Sequence, residues 1–180
     1  MEAFKRTMSG DLADVFNNLS DDELCAEFRK CCGSQWWCER MLAERPFASV
    51  EALRDAADRT FAGMPRDAWL EAFASHPQIG DLESLKMKFA GNREWSAGEQ
   101  SGVLETNEET LIRLRDGNAL YLERFGYIFI VCATGKAAEE MLEILERRLA
   151  NDAETELREA AAQQQRITLL RLEKLLASVP

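Results

Sequence analysis

The sequence predicts an all-α protein: a single-domain helical bundle over residues 1–180, with one buried extended segment at about 126–134 and a long C-terminal helix. Three observations predict it. Apolar side chains recur at three- and four-residue steps through most of the chain, the period of a helix with one buried face. Serine or threonine caps stand before several of these runs, with glutamate three places on at Ser20, Ser96 and Thr106, the signature of a capping box. Only one segment, FGYIFIVCATG, is aromatic and β-branched enough to suggest a strand.

Each element has its own warrant. Ser20 with Glu23 opens DDELCAEFRKCC, and Gly33-Ser34 interrupts it. QWWCERMLAE restarts the helix and stops before Pro46. Ser49 opens VEALRDAADRTFAGM, where Val50, Leu53, Ala57 and Phe61 share a face. Pro65 suits the first turn of DAWLEAFASH. Pro77 ends that helix, because proline lacks a donor and pushes the residue before it, His76, out of the α region. LESLKMKFA is a short amphipathic piece, followed by Gly91-Asn92 and a helix capped by Ser96. Thr106 with Glu109 predicts the start of a long helix to about Phe125. The strand-like segment follows between Gly126 and Gly135; lacking a partner, it is expected to run extended between helices. KAAEEMLEILERRLAND is helical from Lys136, and Asp152 caps a last helix running almost to Pro180.

Composition narrows the function. Hydrophobic residues make up 46% of the 180 and charged residues 30%, enough to build a real core. A formal net charge of −10 argues against a phosphate-driven nucleic-acid binder. The longest apolar run, Tyr127 to Ala133, is far short of a membrane span, and MEAFKRTMSGDLADVF has no apolar signal core; a cytoplasmic setting is expected. The five cysteines (Cys25, Cys31, Cys32, Cys38, Cys132) include no CxxC pair, and with one histidine they offer no zinc set. They are expected to be reduced, several of them serving as small buried apolar residues.

The single histidine, His76, sits in SHPQIGD, its backbone fixed by Pro77. An imidazole with an unperturbed pKa of about 6.5 can give and take protons near neutrality. One imidazole and a nearby carboxylate suffice for general acid/base work without metal or cofactor. Ser96, Glu99 and Gln100 open the next helical pattern, and a helix start offers free N–H groups and a positive dipole end to an anion. Glu99 has a purely structural alternative, completing the Ser96 capping box. His76 likewise has one, a hydrogen bond back onto the helix it ends.

Taken in order, WWCERMLAERPF, HPQIGD, SAGEQ, FGYIFIVCATGK and ERRLAND followed by ETEL and RITLLRL resemble the 2-oxo-4-hydroxy-4-carboxy-5-ureidoimidazoline (OHCU) decarboxylase family of urate breakdown. The resemblance spans roughly residues 10 to 176; each motif is short, but five in order are specific. Gln164 stands where the resemblance implies an acidic residue. The family is all-helical, cofactor-free and commonly dimeric, and its product is S-allantoin. The resemblance thus implies an enzyme, a carboxy-lyase, with no metal. It implies His76 as the acid/base group at the substrate hydroxyl and Glu99 beside it, orienting imidazole or substrate. Pro77, Ser96 and Gln100 would line the site, the last two bonding the ureido group or ring amides. Phe129, Ile130 and Val131 would form a pocket wall, or else only core. Arg171, on a largely apolar face with Ile167 and Leu175, needs an anionic partner, and a bidentate substrate carboxylate fits. A structural salt bridge is its alternative, and Arg148 is the rival arginine. Cys132 reads as packing, since this decarboxylation needs no nucleophile. A homodimer through the C-terminal helix, Asp152 to about Val179, is expected because Ile167, Leu169, Leu170, Leu172, Leu175 and Leu176 occupy more than one face. The other class of protein compatible with these residues is a helical small-molecule-binding or regulatory protein that has lost catalysis.

Overall fold

A computed structural model describes residues 13–78, 82–90 and 102–178. Those residues are helical throughout apart from turns and one extended stretch. Helix α1 covers 13–18. Helix α2 (Asp21–Cys31) begins with the predicted capping box: the Ser20 hydroxyl accepts from the Glu23 N–H, and the Glu23 carboxylate accepts from the Ser20 N–H at 3.0 Å. Helix α3 (Gln35–Ala43) is capped by Ser34, which accepts from the Trp37 N–H, and α4 (Val50–Ala62) by Ser49, which accepts from the Ala52 N–H. Each such cap satisfies an amide that would otherwise lack a partner. Pro65 stands at the cap of α5 (Arg66–Ala74), just ahead of the first-turn position expected of it. Past the C-cap Ser75, the His76 N–H donates to the Phe73 carbonyl at 3.1 Å, so the histidine leaves the helix on its last turn.

Helix α6 (Leu82–Ala90) matches the amphipathic LESLKMKFA. Helix α7 (Gly102–Phe125) corrects one boundary: Thr106 lies inside it, not at its start. A threonine followed by glutamate at the third place marks a cap only where the chain arrives non-helical, and here the helix is already running. Gly126 ends α7 with φ 78°, the left-handed conformation glycine takes at no steric cost, and its N–H donates to the Leu122 carbonyl at 2.9 Å. The segment after it runs extended without pairing among the described residues. Ile130 is buried at its centre, while Tyr127, Phe129, Val131 and Ala133 are half-buried against the neighbouring core. Helix α8 (Ala138–Leu149) starts two residues after Lys136, where the Glu140 carboxylate reaches back to the Ala137 N–H at 3.0 Å. Helix α9 (Ala153–Ser178) is the long C-terminal helix, capped as predicted by Asp152, whose carboxylate accepts from the Glu154 and Thr155 N–H groups at 3.0 and 2.9 Å.

The chain divides into two compact units, one made of the chain up to His76 with the chain from Ala161 onward, the other of Pro77–Ala160. In the first, α3 packs on α2, α4 and α5. Its core holds Leu24, Phe28, Trp37, Met41 and Leu53, joined by Leu172 and Leu176 from α9. Phe28 meets the edge of Trp37 at 5.7 Å between ring centres. In the second, α7 packs on α6 and α8 around Leu85, Leu114, Tyr121, Met141 and Leu145.

The cysteine expectation is corrected at one pair. Cys25 of α2 and Cys38 of α3 form a disulfide, because the packing of these two helices brings their Cα atoms to 5.6 Å, within the span such a bridge needs. Their separation of 13 residues carries no motif that would reveal this. Cys31, Cys32 and Cys132 are free, and burial pushes the Cys31 thiol up to about 12, so it acts as packing rather than as a nucleophile.

Candidate active site

His76 stands where α5 gives way to the Pro77 loop, half-buried in the first unit. Its surroundings are built by α9 and the turn between α2 and α3. The ring Nε2 lies 2.7 Å from Oε1 of Gln164, a fully buried side chain of α9. One turn further along, the Gln164 amide nitrogen donates to the hydroxyl of Thr168, which is itself buried, at 3.3 Å. Burial is the main influence on the imidazole and holds its pKa below the usual histidine value. The Gln164 hydrogen bond acts in the opposite direction, and the Arg171 charge adds to the lowering. At neutral pH the ring is therefore uncharged and able to accept a proton.

The turn that faces this loop is tied down. Gly33 packs so closely on Ser75 that a Cβ built there would lie 2.2 Å from the Ser75 Cβ. Beside it the buried Ser34 hydroxyl donates to the Glu71 carboxylate of α5 at 3.2 Å, and the Gln35 N–H donates to the same oxygen at 3.0 Å. These contacts fix the last turn of α5 and, through it, the backbone that carries His76.

Arg171 also belongs to the first unit. It is half-buried, and among the described residues no carboxylate pairs with it. Arg148 is different. It lies in the second unit, fully buried, with its Nε donating to Glu156 at 2.8 Å and its Nη1 to the Ile130 carbonyl at 2.6 Å. Its guanidinium sits 4.8 Å from the centre of the Phe129 ring, and Glu156 also accepts from the Tyr121 hydroxyl. Every face of Arg148 is thus occupied by the protein itself. Phe129, Ile130 and Val131 belong to the second unit as well, and one lone pair of the Ile130 carbonyl is committed to Arg148. Pro77 is exposed beside His76; Ser96, Glu99 and Gln100 lie outside the described residues. Among the described residues no cluster of histidine, cysteine, aspartate and glutamate is arranged to hold a metal ion.

Sequence reasoning marked Gln164 only as standing in for an acidic residue, and it missed Thr168 and the ties of the α2–α3 turn. Gln164 and Thr168, one helical turn apart, share the α9 face on which Arg171 follows, so a polar stripe interrupts an apolar helix. That spacing was a usable signal for Gln164 and Thr168. Nothing local marks Gly33 or the Ser34–Glu71 tie, which exist only once α2, α3 and α5 are packed.

A helical scaffold presenting an uncharged imidazole on a buried side-chain anchor, with an arginine in the same unit that no carboxylate pairs among the described residues, has the groups that an acid/base enzyme for a small anionic substrate requires. The comparisons with known proteins make the class specific. The OHCU decarboxylase family model matches residues 17–173. The uric acid degradation bifunctional protein TTL of Arabidopsis thaliana is 38% identical over 149 residues, covering 83% of this chain and 46% of that protein. The 2-oxo-4-hydroxy-4-carboxy-5-ureidoimidazoline decarboxylase of Haloferax volcanii is 32% identical, over 87% of this chain and 90% of its own length. A crystal structure of an OHCU decarboxylase in the presence of (S)-allantoin superposes with a TM-score of 0.66 at 34% identity, covering 89% of this chain and all of that one. The chain belongs to the OHCU decarboxylase family, and so to the carboxy-lyases.

Proposed function

We propose that this protein decarboxylates OHCU to S-allantoin in urate degradation, with His76 as the acid/base group and Arg171 on the substrate carboxylate. The observation that carries the reading is the His76 ring itself: an uncharged imidazole, anchored on Gln164, in a unit whose Arg171 has no carboxylate partner among the described residues. The reaction needs little else. When carbon dioxide leaves, the electron pair of the broken bond moves into the ring, and the adjacent carbon–nitrogen double bond accepts it on nitrogen. His76 takes the hydroxyl proton as the ring carbon becomes a carbonyl. A proton is delivered to one face of the neighbouring carbon, and one proton from solvent balances the charge of the lost carboxylate. The protein supplies geometry and proton transfer, and no external electron sink is part of this reading.

The full occupation of Arg148 by Glu156, Ile130 and Phe129 supports Arg171 as the anion-binding arginine, since a guanidinium already paired has no fork left for a second carboxylate. Glu99 in this reading orients the imidazole or the substrate, with Ser96, Gln100 and Pro77 lining the site and Phe129, Ile130 and Val131 bounding the ring. The match over 17–173, which takes in both compact units, supports one functional domain. A homodimer through α9 is part of the proposal, supported by Leu170, an exposed leucine on a helix whose Ile167 and Leu169 are only half-buried. The test is substrate generated in place from urate and supplied to enzyme dialysed against a chelator. Accelerated substrate loss is expected, whereas decay at the rate of the buffer control would refute the assignment, and loss of activity only in chelator would refute its cofactor-free part.

A further inference from the structure

The His76–Gln164–Thr168 chain has a direction. The Gln164 amide N–H donates to Thr168 Oγ1, which turns the amide oxygen toward His76. An amide oxygen cannot donate, so the ring nitrogen it meets must carry the hydrogen. A carboxylate in the same place would also accept that hydrogen, but it would favour the imidazolium as well.

We propose that Gln164 is a positioning residue that keeps the proton of the neutral imidazole on Nε2, leaving Nδ1 as the nitrogen that exchanges a proton with substrate. This rests on His76 being the acid/base group. Gln164 acts only through His76. It is fully buried, and its oxygen and nitrogen are both taken by the protein. The ionisable groups on the elements packed around this part of the unit fit an uncharged ring. From α9 the Arg171 charge opposes an imidazolium, and from the α2–α3 turn the Cys32 thiol is held neutral by burial. From α5 the Glu71 carboxylate is turned to Ser34 and Gln35. An amide anchor fixes the ring without the negative charge that would offset Arg171.

His76 is the only histidine in the chain, so its ring signals are unambiguous. Long-range proton–nitrogen correlation of the full-length protein, titrated across pH, reads the tautomer and the titration directly. The expected result is a neutral ring with the hydrogen on Nε2. In Gln164→Glu the imidazole should titrate at least roughly one pH unit higher, and the acid limb of kcat/KM should move with it. In Gln164→Met, which keeps the volume but not the acceptor, the Nδ1–H form should become populated. Hydrogen on Nδ1 in the unaltered protein would overturn the proposal, as would a folded Gln164→Glu that titrates where the parent does. Should Gln164→Glu fail to fold, the parent and Gln164→Met spectra still decide. The ring spectra do not depend on turnover, so a protein lacking decarboxylase activity yet showing the Nε2–H form would contradict the activity and leave the positioning role standing.

Discussion

At the scale of single residues, the ionisable groups divide into those that act and those that hold. His76 acts. Replacing it with asparagine keeps the size and some hydrogen bonding of the loop residue, so the melting transition should barely move. The rate should fall by about 10²–10⁴-fold, the usual contribution of a positioned acid or base. A His76→Asn protein with more than a tenth of parental kcat would remove the imidazole from the chemistry. Because burial holds the His76 pKa below its ordinary value, the neutral base persists to more acidic pH than an exposed histidine would allow. The acid limb of kcat/KM for the unaltered enzyme should therefore fall below pH ~6.5. The same lowering makes His76 favour folding above its unfolded pKa and lose that contribution as pH falls through its folded pKa.

The two arginines separate chemistry from architecture at the same scale. Arg148→Leu leaves Glu156 buried without its partner, a change that costs about 3–5 kcal/mol in comparable pairs, readable by denaturant melts. Arg171→Leu removes no ion pair found among the described residues, so stability should hold while kcat/KM drops roughly 10–100-fold, the worth of a charge-assisted hydrogen bond. Equal destabilisation by the two would contradict the division. Arg148 was partly legible in the sequence: it follows Met141 by seven residues and Leu145 by three, on the buried face of α8, whereas Arg147 points outward. What the sequence could not supply is its partner, because Glu156 belongs to another helix.

At the scale of elements, caps and stops were the most readable part of the chain. Ser20, Ser34, Ser49 and Asp152 each stand where a helix starts, since a short oxygen-bearing side chain beside an unpaired amide is a local solution to a local need. The same signature misled at Thr106, inside α7. Local chemistry permits a cap there, but only the incoming backbone decides whether a cap is required. The α2–α3 turn was legible as a break and not as a support for the site. Its Gly33 approaches Ser75 so closely that Gly33→Ala must push the α5 end aside. That change should cost about 1–3 kcal/mol, as overpacking does, and should lower kcat as well, because His76 follows Ser75 directly. Normal kcat in a destabilised Gly33→Ala protein, assayed well below its melting temperature, would show that the turn supports the fold without positioning the histidine.

At the scale of the whole molecule, the helical class followed from helical periodicity together with a single strand-like segment, because helices with no sheet to cover bury their apolar faces against one another. The division into two compact units did not follow from it, as α9 contributes its first turns to one and the remainder to the other. The apolar surface left on α9 bears on assembly: sedimentation at micromolar concentration should report a homodimer, and a monomer there would refute the α9 interface. The central claim, that this chain is a decarboxylase which chooses one face of its product, is tested most directly by the handedness of the allantoin it forms. With substrate generated in place from urate, circular dichroism of the product should show S-allantoin accumulating in proportion to enzyme. Racemic allantoin, formed no faster than in buffer, would contradict it.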